Sequence, residues 1–334
     1  MCKCVCSVWI LVSVMLLFPR PAGAEHRRTT QQTPIEVTLR PGTTKPISIP
    51  AFGWIGAPQC DSDGNIIFHS GFKLQDLTFL KLEKDGAHVL YHPSPQDGPS
   101  IFLQFYVSSE GGLYVLATDD KEQLFLLKAG NDPNSFARTR IETVKGAGPY
   151  TIKSFVVLPG DILIVFGYFD KEAQVRERGR AYLIEMNASG QVVRRSSESM
   201  GESDLKVAVD RAGAAPVVLN DGLIYFLGGS KILAVSPAGE LVHKLDLPKP
   251  DSDYDAWQLN GSGGVLLVNF MKVPKDGSFM LPLYLLLDSS TGDLLRTYRP
   301  SSDLGNVLAC FSEEGFTFYR VYKQGDAELV TAPR

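Results

Sequence analysis

The sequence predicts an all-β fold, a six-bladed β-propeller of four-stranded antiparallel blades, and three observations support this prediction. A turn-forming Gly followed by a short β-rich run recurs six times. These glycines are Gly64, Gly112, Gly160, Gly222, Gly264 and Gly315, with spacings of 48, 48, 62, 42 and 51 residues. A unit of about 40 to 50 residues with four short strands is typical of a propeller blade. Finally, no stretch after residue 24 shows the apolar period of a helix.

Within each blade we expect a second strand, a further Gly turn and another strand. The third unit shows this order, with the run Ala181–Met186, the turn Ser189-Gly190 and the run Val192-Val193. Gly at such hairpin tips supplies the positive φ that tight turns require. The spacing of 62 residues marks inserted chain, the charged segment 170–180 and the polar segment 194–211. Both have the composition of solvated loops, although long loops on rigid scaffolds also carry binding residues.

Residues 1–24 are predicted to be a cleaved signal peptide. Lys3 precedes an apolar run over residues 8–18, and the small residues Ala22 and Ala24 suit cleavage after Ala24. A transmembrane helix needs about 20 apolar residues, so the length disfavours the alternative of an uncleaved anchor. We therefore expect a secreted or periplasmic protein with no transmembrane segment after cleavage.

The rest of the chain is predicted to be a disordered leader, residues 25–34, and a single propeller domain, residues 35–334. The last repeat supplies only two strands after its Gly, over residues 316–322 and 327–330, so its blade lacks a fourth strand. The segment Ile35 to Arg40 alternates apolar and polar residues with the period of a β-strand. We expect this segment to complete the last blade as its outer strand, which closes the ring and removes an exposed sheet edge.

Two cysteines, Cys60 and Cys310, remain after the signal peptide is removed. Cys60 lies four residues before Gly64 and Cys310 lies five before Gly315, so both occupy nearly the same height on innermost strands. An exported chain permits a disulfide, and ring closure would bring the first and last blades together. The alternative is two buried, unpaired thiols, because a disulfide needs Cα atoms within about 7 Å and inner strands of adjacent blades diverge.

The charge balance argues against nucleic acid as a partner. The whole chain carries 33 basic and 37 acidic side chains, a formal charge of −4. Loss of the signal peptide removes Lys3 and Arg20 but no acid, which makes the balance more negative. Binding to phosphates requires clustered positive charge, and acidic residues interrupt the basic cluster at residues 176–180.

No motif in the sequence indicates a metal, a cofactor or a nucleophilic centre. The segment Asp61-Ser62-Asp63-Gly64-Asn65 resembles the start of a calcium loop, but Phe72 stands where such a loop requires Glu. We therefore interpret this segment as a turn between strands. There is no G-x-S-x-G elbow and no phosphate-binding glycine motif. The remaining histidines are His69, His88, His92 and His243, and we expect no catalytic zinc site from them.

The predicted binding region is the axial funnel, where the beginnings of the innermost strands converge. The candidate binding residues at this channel mouth are Gln104, Tyr106, Lys153, Asp255, Trp257 and Asn306. Lys153 and Asp255 suit a polar or zwitterionic ligand, while Trp257 and Tyr106 offer stacking faces for a sugar or a peptide side chain. The alternative is that the two aromatic residues pack between blades and the charged pair is only solvated.

The blade phrases resemble those of secreted bacterial six-bladed propellers related to the NHL-repeat and lactonase-like families. The resemblance rests on D-x-D-G-N at Asp61–Asn65 and on S-x-G-x-[VL]-[VL] at later hairpins, as in residues 290–295. It implies the propeller fold from Ile35 to the end of the chain. Lactonase-like members hold a channel metal with Glu and Asn or Asp, and NHL-type lyases use channel His and metal. Neither ligand set maps onto this sequence residue by residue.

These observations favour a non-catalytic scaffold that binds a ligand or protein, with a peptide, glycan or cell-envelope protein as partner. The alternative is a metal-dependent hydrolase or lyase with its site in the propeller channel. A third possibility is a structural domain of a larger envelope assembly. An enzyme should bring at least three metal-ligating side chains to the channel, whereas a scaffold should not.

Overall fold

Six β-sheets, antiparallel except for one added outer strand, follow one another along the chain and form the ring of a β-propeller, as the repeated Gly phrases predict. The computed structural model describes residues 35–48, 58–71, 73–83, 88–93, 100–142, 150–169, 180–195, 206, 209, 215–228, 230–251, 253–272, 281–305, 307–323 and 326–334. Each blade begins with its innermost strand and continues outwards. The described helical segments include the 3-10 turns Leu74–Asp76 and Ser302–Leu304. No helix in the described ranges has the length and apolar content that a membrane span requires.

The first three blades have four strands each. The first blade contains β3 (Gln59–Cys60), β4 (Ile66–Ser70), β5 (Thr78–Leu82) and β6 (His88–Tyr91). The second contains β7 (Ile101–Val107), β8 (Leu113–Thr118), β9 (Leu124–Ala129) and β10 (Phe136–Arg140). The third contains β11 (Tyr150–Leu158), β12 (Ile162–Phe169), β13 (Ala181–Met186) and β14 (Val192–Arg195).

The last three blades include both N-terminal strands, β1 (Ile35–Leu39) and β2 (Thr44–Ser48). The fourth blade contains β15 (Val217–Val218), β16 (Ile224–Gly228), β17 (Lys231–Val235) and β18 (Leu241–Asp246). The fifth contains β19 (Tyr254–Ser262), β20 (Val265–Lys272), β21 (Leu281–Asp288), β22 (Leu294–Pro300) and, outside them, β1. The sixth contains β23 (Val307–Ser312), β24 (Gly315–Lys323), β25 (Asp326–Pro333) and β2.

The turns that join each innermost strand to its second strand, here called the inner turns, each contain a Gly with positive φ. The φ angle is 84° at Gly64 and 74° at Gly222. In the second and fifth blades the positive φ falls on Gly111 and Gly263, one residue before the Gly that repeats in the sequence. Because a side chain is strained in this conformation, the repeated Gly phrase is a backbone requirement of the hairpin.

The hydrophobic core lies between neighbouring blades. Phe166 of the third blade meets Phe226 of the fourth edge to face, with ring centroids 4.5 Å apart. Tyr284 of the fifth blade packs against Phe316 and Phe318 of the sixth, with centroids 6.0 and 5.9 Å away. Each blade therefore buries its apolar faces only against its neighbours, and the ring must close to bury them all.

An N-terminal strand completes the sixth blade, as predicted, but this strand is β2 and not the segment 35–40 that was expected there. β2 pairs with β25 in antiparallel register from Thr44 opposite Val330 onwards. Just before it, the backbone amide of Gly42 donates to the Thr331 carbonyl at 2.7 Å. The Pro46 in β2 disguises the strand in the sequence, because Pro has no N–H and is tolerated only at a sheet edge or bulge.

The segment that was expected to close the ring forms a strand on the neighbouring blade instead. β1 pairs with β22 in parallel, which makes the fifth blade five-stranded. Leu39 is buried there, and Arg299 Nε donates to Glu36 Oε1 at 2.6 Å. The alternating pattern correctly indicated a strand with one buried face, but such a pattern suits the outer edge of either blade.

A disulfide joins the first and last blades, which confirms the predicted pairing. Cys60 on β3 is bonded to Cys310 on β23, with Cα atoms 5.5 Å apart. Beside it, the rings of Phe68 and Tyr319 pack with their centroids 5.0 Å apart. The seam between the sixth and first blades is therefore held by a covalent bond as well as by packing.

His69 on β4 is enclosed by aromatic rings between the first and second blades. Its ring centroid lies 5.1 Å from that of Phe102 and 5.1 Å from that of Phe105. Phe79 lies at 6.2 Å. Burial lowers the pKa of His69 from 6.5 to about 4, because the imidazolium would lose its hydration.

We expect acid to destabilise the protein through His69. Since its pKa in the folded state lies below the unfolded value, the stabilisation is complete above pH 6.5 and is lost as pH falls to 4. A shift of this size corresponds to a loss of about 3 kcal/mol in the free energy of unfolding between these two pH values. His69→Phe should therefore flatten the fall of the urea midpoint between pH 7 and 4, while His243→Gln on β18 should not. An identical fall in all three proteins would contradict this account.

Candidate functional site

An axial cavity of about 620 Å³ lies where the innermost strands meet. Five blades supply its wall, and within the described ranges no residue of the third blade lines it. The wall is formed mainly by the last residues of the innermost strands and by the inner turns that follow them. The cavity therefore opens among the inner turns, at the end of the channel opposite the predicted funnel.

Gln59 joins the first and second blades at the cavity wall. Its Nε2 donates to the carbonyl of Phe105 at 2.9 Å, and its Oε1 accepts from the amide of Val107 at 3.0 Å. Inner strands of neighbouring blades diverge, so these backbone groups lack a strand partner on the channel side. The Gln59 amide satisfies both of them and fixes the distance between the two strands.

Asn220 of the fourth blade also lines the cavity, and so do two amide side chains on β19, those of Gln258 and Asn260. Both are partly buried. The Nδ2 of Asn260 is buried and has no hydrogen-bond partner among the described residues. Because this nitrogen has almost no accessible surface, a ligand in the cavity can reach it only if the Asn260 side chain turns.

Acidic side chains surround the end of the cavity at the inner turns. The lining acids are Asp61, Asp63, Glu313 and Glu314. A Cβ atom on Gly263 would lie 3.1 Å from Glu313 Oε1, so this carboxylate lies against the inner turn of the fifth blade. No group of three or more His, Cys, Asp or Glu side chains in the described ranges is arranged to hold a metal ion.

The segment that resembles a calcium loop is a turn, as interpreted from the sequence. Asp61 Oδ1 accepts from the backbone amides of Asp63 and Asn65 at 3.1 and 2.9 Å. The Asn65 amide donates to Asp61 Oδ2 at 2.8 Å. The Asp61 carboxylate therefore serves the hairpin, which leaves Asp63, Glu313 and Glu314 as the acids that face solvent at the cavity mouth.

The disulfide forms part of the same wall. Cys60 lines the cavity together with Ala309 and Phe311 of the sixth blade. This side is mainly apolar, whereas the amides lie on the first, fourth and fifth blades. The cavity thus has an apolar side at the seam, a polar side and an acidic mouth.

The structure does not bring the predicted binding residues together in this cavity. Tyr106 lines it, and Gln104 lies two residues earlier, where its Nε2 is 3.4 Å from Ser154 Oγ. Lys153 and Trp257 stand at bulges of β11 and β19 and are exposed. Asp255 is also exposed, near the start of β19.

Asn306 lies outside the described part of the chain, and so do most of the inserted segments 170–180 and 194–211. The proposed roles of the funnel residues stay predictions. The sequence did not indicate the amides and acids of the cavity, because the expected site lay at the beginnings of the innermost strands and these residues follow the bulges, closer to the inner turns. Their only sequence signal was a polar residue within an inner strand, as at Gln258 and Asn260.

A smaller cavity of about 160 Å³ lies between the second and third blades. Tyr114 Oη donates to Asp161 Oδ1 at 2.8 Å, and Lys128 Nζ donates to the same carboxylate at 2.7 and 2.8 Å. The hydrogen bonds from Lys128 and then Tyr114 hold the pKa of Asp161 below its usual value. Burial, reinforced by the bond to Asp161, raises the pKa of Tyr114. These paired groups link the two blades.

Comparison with known proteins supports the fold alone. No protein-family model matches the chain, and no curated protein matches its sequence. A member of the DUF4221 family from Bacteroides vulgatus is 7% identical, with a TM-score of 0.55 over 88% of this chain and 97% of that one. A luciferin-regenerating enzyme is 11% identical, with a TM-score of 0.48 over 87% and 97%. The β-propeller domain of the Trilobed protease from Pyrococcus furiosus is 8% identical, with a TM-score of 0.42 over 81% and 79%.

Gln59→Leu should destabilise the protein by about 2 kcal/mol, because it leaves the Phe105 carbonyl and the Val107 amide without their partner. Gln258→Leu changes the same residue type in the same cavity, but it removes no side-chain hydrogen bond within the described structure. We expect a loss of less than about 0.5 kcal/mol for this control. Urea unfolding measures both, and equal losses would contradict the bridging role of Gln59.

Proposed function

We propose that this protein is an exported, non-catalytic binding propeller whose axial cavity receives its ligand. One observation carries the proposal, which is the cavity of about 620 Å³ at the centre of the ring. Small-molecule sites usually enclose about 300 to 1,000 Å³ and combine an apolar wall with a few polar groups. The apolar side at Ala309 and Phe311 and the amides of Gln258 and Asn260 match that description.

The way the cavity is built supports binding by a preformed site. Gln59 holds the first blade to the second, and the disulfide holds it to the sixth. A site formed by strands in a closed ring loses little conformational freedom when a ligand binds. The ligand is then a free small molecule or a protruding part of a peptide, glycan or cell-envelope partner.

The chemistry of the described wall supports binding rather than catalysis. The lining includes no His, and its one cysteine is bonded to Cys310. Asp61 is held by its own turn. The remaining polar groups are the carboxylates of Asp63, Glu313 and Glu314 at the mouth and, deeper in the wall, amides and hydroxyls, which orient ligands more often than they transfer protons.

Two features support export. The sequence begins with a stretch that has the pattern of a signal peptide, and the disulfide is of a kind that persists in oxidising compartments. Together they support a binding function outside the cytoplasm.

Ser262→Trp, which places a large side chain on the cavity wall, should abolish ligand binding. The test is a thermal-shift screen of the protein lacking residues 1–24 against common monosaccharides and dipeptides. A ligand that binds the native state should raise the melting temperature by several degrees when present well above its dissociation constant. Val193→Trp on the exposed face of β14 is the matched control and should keep the shift.

A shift that persists in Ser262→Trp would place the ligand elsewhere and contradict the proposal. The same sample should be analysed for metal by mass spectrometry. Stoichiometric calcium or zinc whose removal abolishes turnover of an ester, lactone or peptide substrate would replace binding by the alternative function, a metal-dependent hydrolase or lyase.

A further inference from the structure

We infer that the axial cavity selects a ligand that carries both a protonated amine and hydroxyl groups, and an amino sugar is the simplest class with this chemistry. The inference rests on the proposed binding function and specifies its ligand. It is carried by the charge of the cavity mouth and by the hydrogen-bonding groups deeper in the wall.

The described wall of the cavity contains acidic side chains and no Lys, Arg or His. Asp63 and Glu313 are exposed at the mouth and form no ion pair within the described ranges. They come from the first and sixth blades, and the Glu313 carboxylate lies against the inner turn of the fifth blade. Low-dielectric walls focus the field of such charges into the opening.

Three cationic side chains near this end of the ring, Lys81, Lys128 and Arg334, have contacts outside the mouth. Lys128 binds Asp161 at 2.7 Å, between the second and third blades. Lys81 Nζ lies 3.7 Å from Glu83 on its own blade. The Arg334 guanidinium lies over the Phe311 ring, 5.6 Å from its centroid. None of these three cationic side chains lines the cavity, so a ligand cation in the mouth meets carboxylates without a competing side chain from the wall.

The deeper wall fits the hydroxyl groups of a sugar. Asn260 has a buried Nδ2 without a described partner, and Gln258 beside it forms no side-chain hydrogen bond within the described structure. If the Asn260 amide turns over, its nitrogen and oxygen exchange places without a change of shape, and the nitrogen can then donate to a ligand oxygen. Ser262 and Ser312 add hydroxyls that both donate and accept.

The two halves of this arrangement make different demands on a ligand. The acids recognise charge, whereas the amides and hydroxyls recognise oxygen atoms. An anionic ligand such as a phosphate or a carboxylate would be repelled at the mouth. A neutral sugar would satisfy only the deeper wall.

The experiment compares three probes of one ring shape, glucosamine, glucose and N-acetylglucosamine, by calorimetry on the protein lacking residues 1–24. Glucosamine should bind about tenfold more tightly than the two neutral sugars at low salt. The advantage should shrink in 0.5 M NaCl, because salt screens exposed charges.

Variants separate the two halves of the site. Asp63→Asn combined with Glu313→Gln should remove the preference for glucosamine, while glucose binding should not change. Asn260→Leu should weaken glucosamine and glucose by the same factor, about five- to tenfold. Glu240→Gln, an exposed carboxylate outside the cavity in the turn between β17 and β18, is the control and should change neither affinity.

Each outcome decides the inference. Equal affinity for glucosamine and glucose would overturn the charge selection and leave binding in the cavity intact. No glucosamine binding up to 10 mM, together with another ligand blocked by Ser262→Trp, would overturn the inference but not the proposed function. If no ligand of the screen is blocked by Ser262→Trp, both fail.

Discussion

A propeller blade buries its apolar faces only against its neighbours, so the junction between the last and first blades decides whether the ring holds. In this chain two independent devices close that junction. The strand β2 returns from the N-terminal part of the domain to complete the sixth blade beside β25. At the channel, the disulfide between Cys60 and Cys310 joins the innermost strands of the first and sixth blades.

The two-residue strand β3 connects this closure to the cavity. Cys60 bonds to the sixth blade, and its neighbour Gln59 bridges to the backbone of the second. A strand of this length makes few backbone hydrogen bonds of its own, so its position depends on these two side chains. Both also line the cavity, which means that the same contacts close the ring and shape the binding site.

The sequence was sufficient to predict what is local and repeated. Gly at each inner turn reflects a backbone conformation, and Cys60 and Cys310 stand at equivalent heights in their repeats, so the ring, its blades and the disulfide were predictable. Closure of the last blade by an N-terminal strand was also predictable, but the segment that forms it was not, because Pro46 disguises β2 and the alternation in β1 suits two neighbouring edges equally.

The candidate site was less predictable for a related reason. The expected funnel residues, such as Lys153 and Trp257, lie at or before bulges in the innermost strands. A bulge adds an unpaired residue and redirects the strand, and nothing in a single sequence announces it. The cavity forms beyond these bulges, so its amides and acids lie at the ends of the innermost strands and in the inner turns. The prediction was based on the beginnings of those strands and therefore did not include them.

The most direct test of the account is the free energy of unfolding in urea of the double variant Cys60→Ala/Cys310→Ala, compared with the native protein. The disulfide closes a loop of 250 residues, and loss of a bond of this kind should destabilise the protein by about 3 to 5 kcal/mol. Reduced native protein should unfold at the same urea concentration as the variant. If the variant is as stable as the oxidised protein, the covalent seam does not hold the ring, and the central claim is wrong.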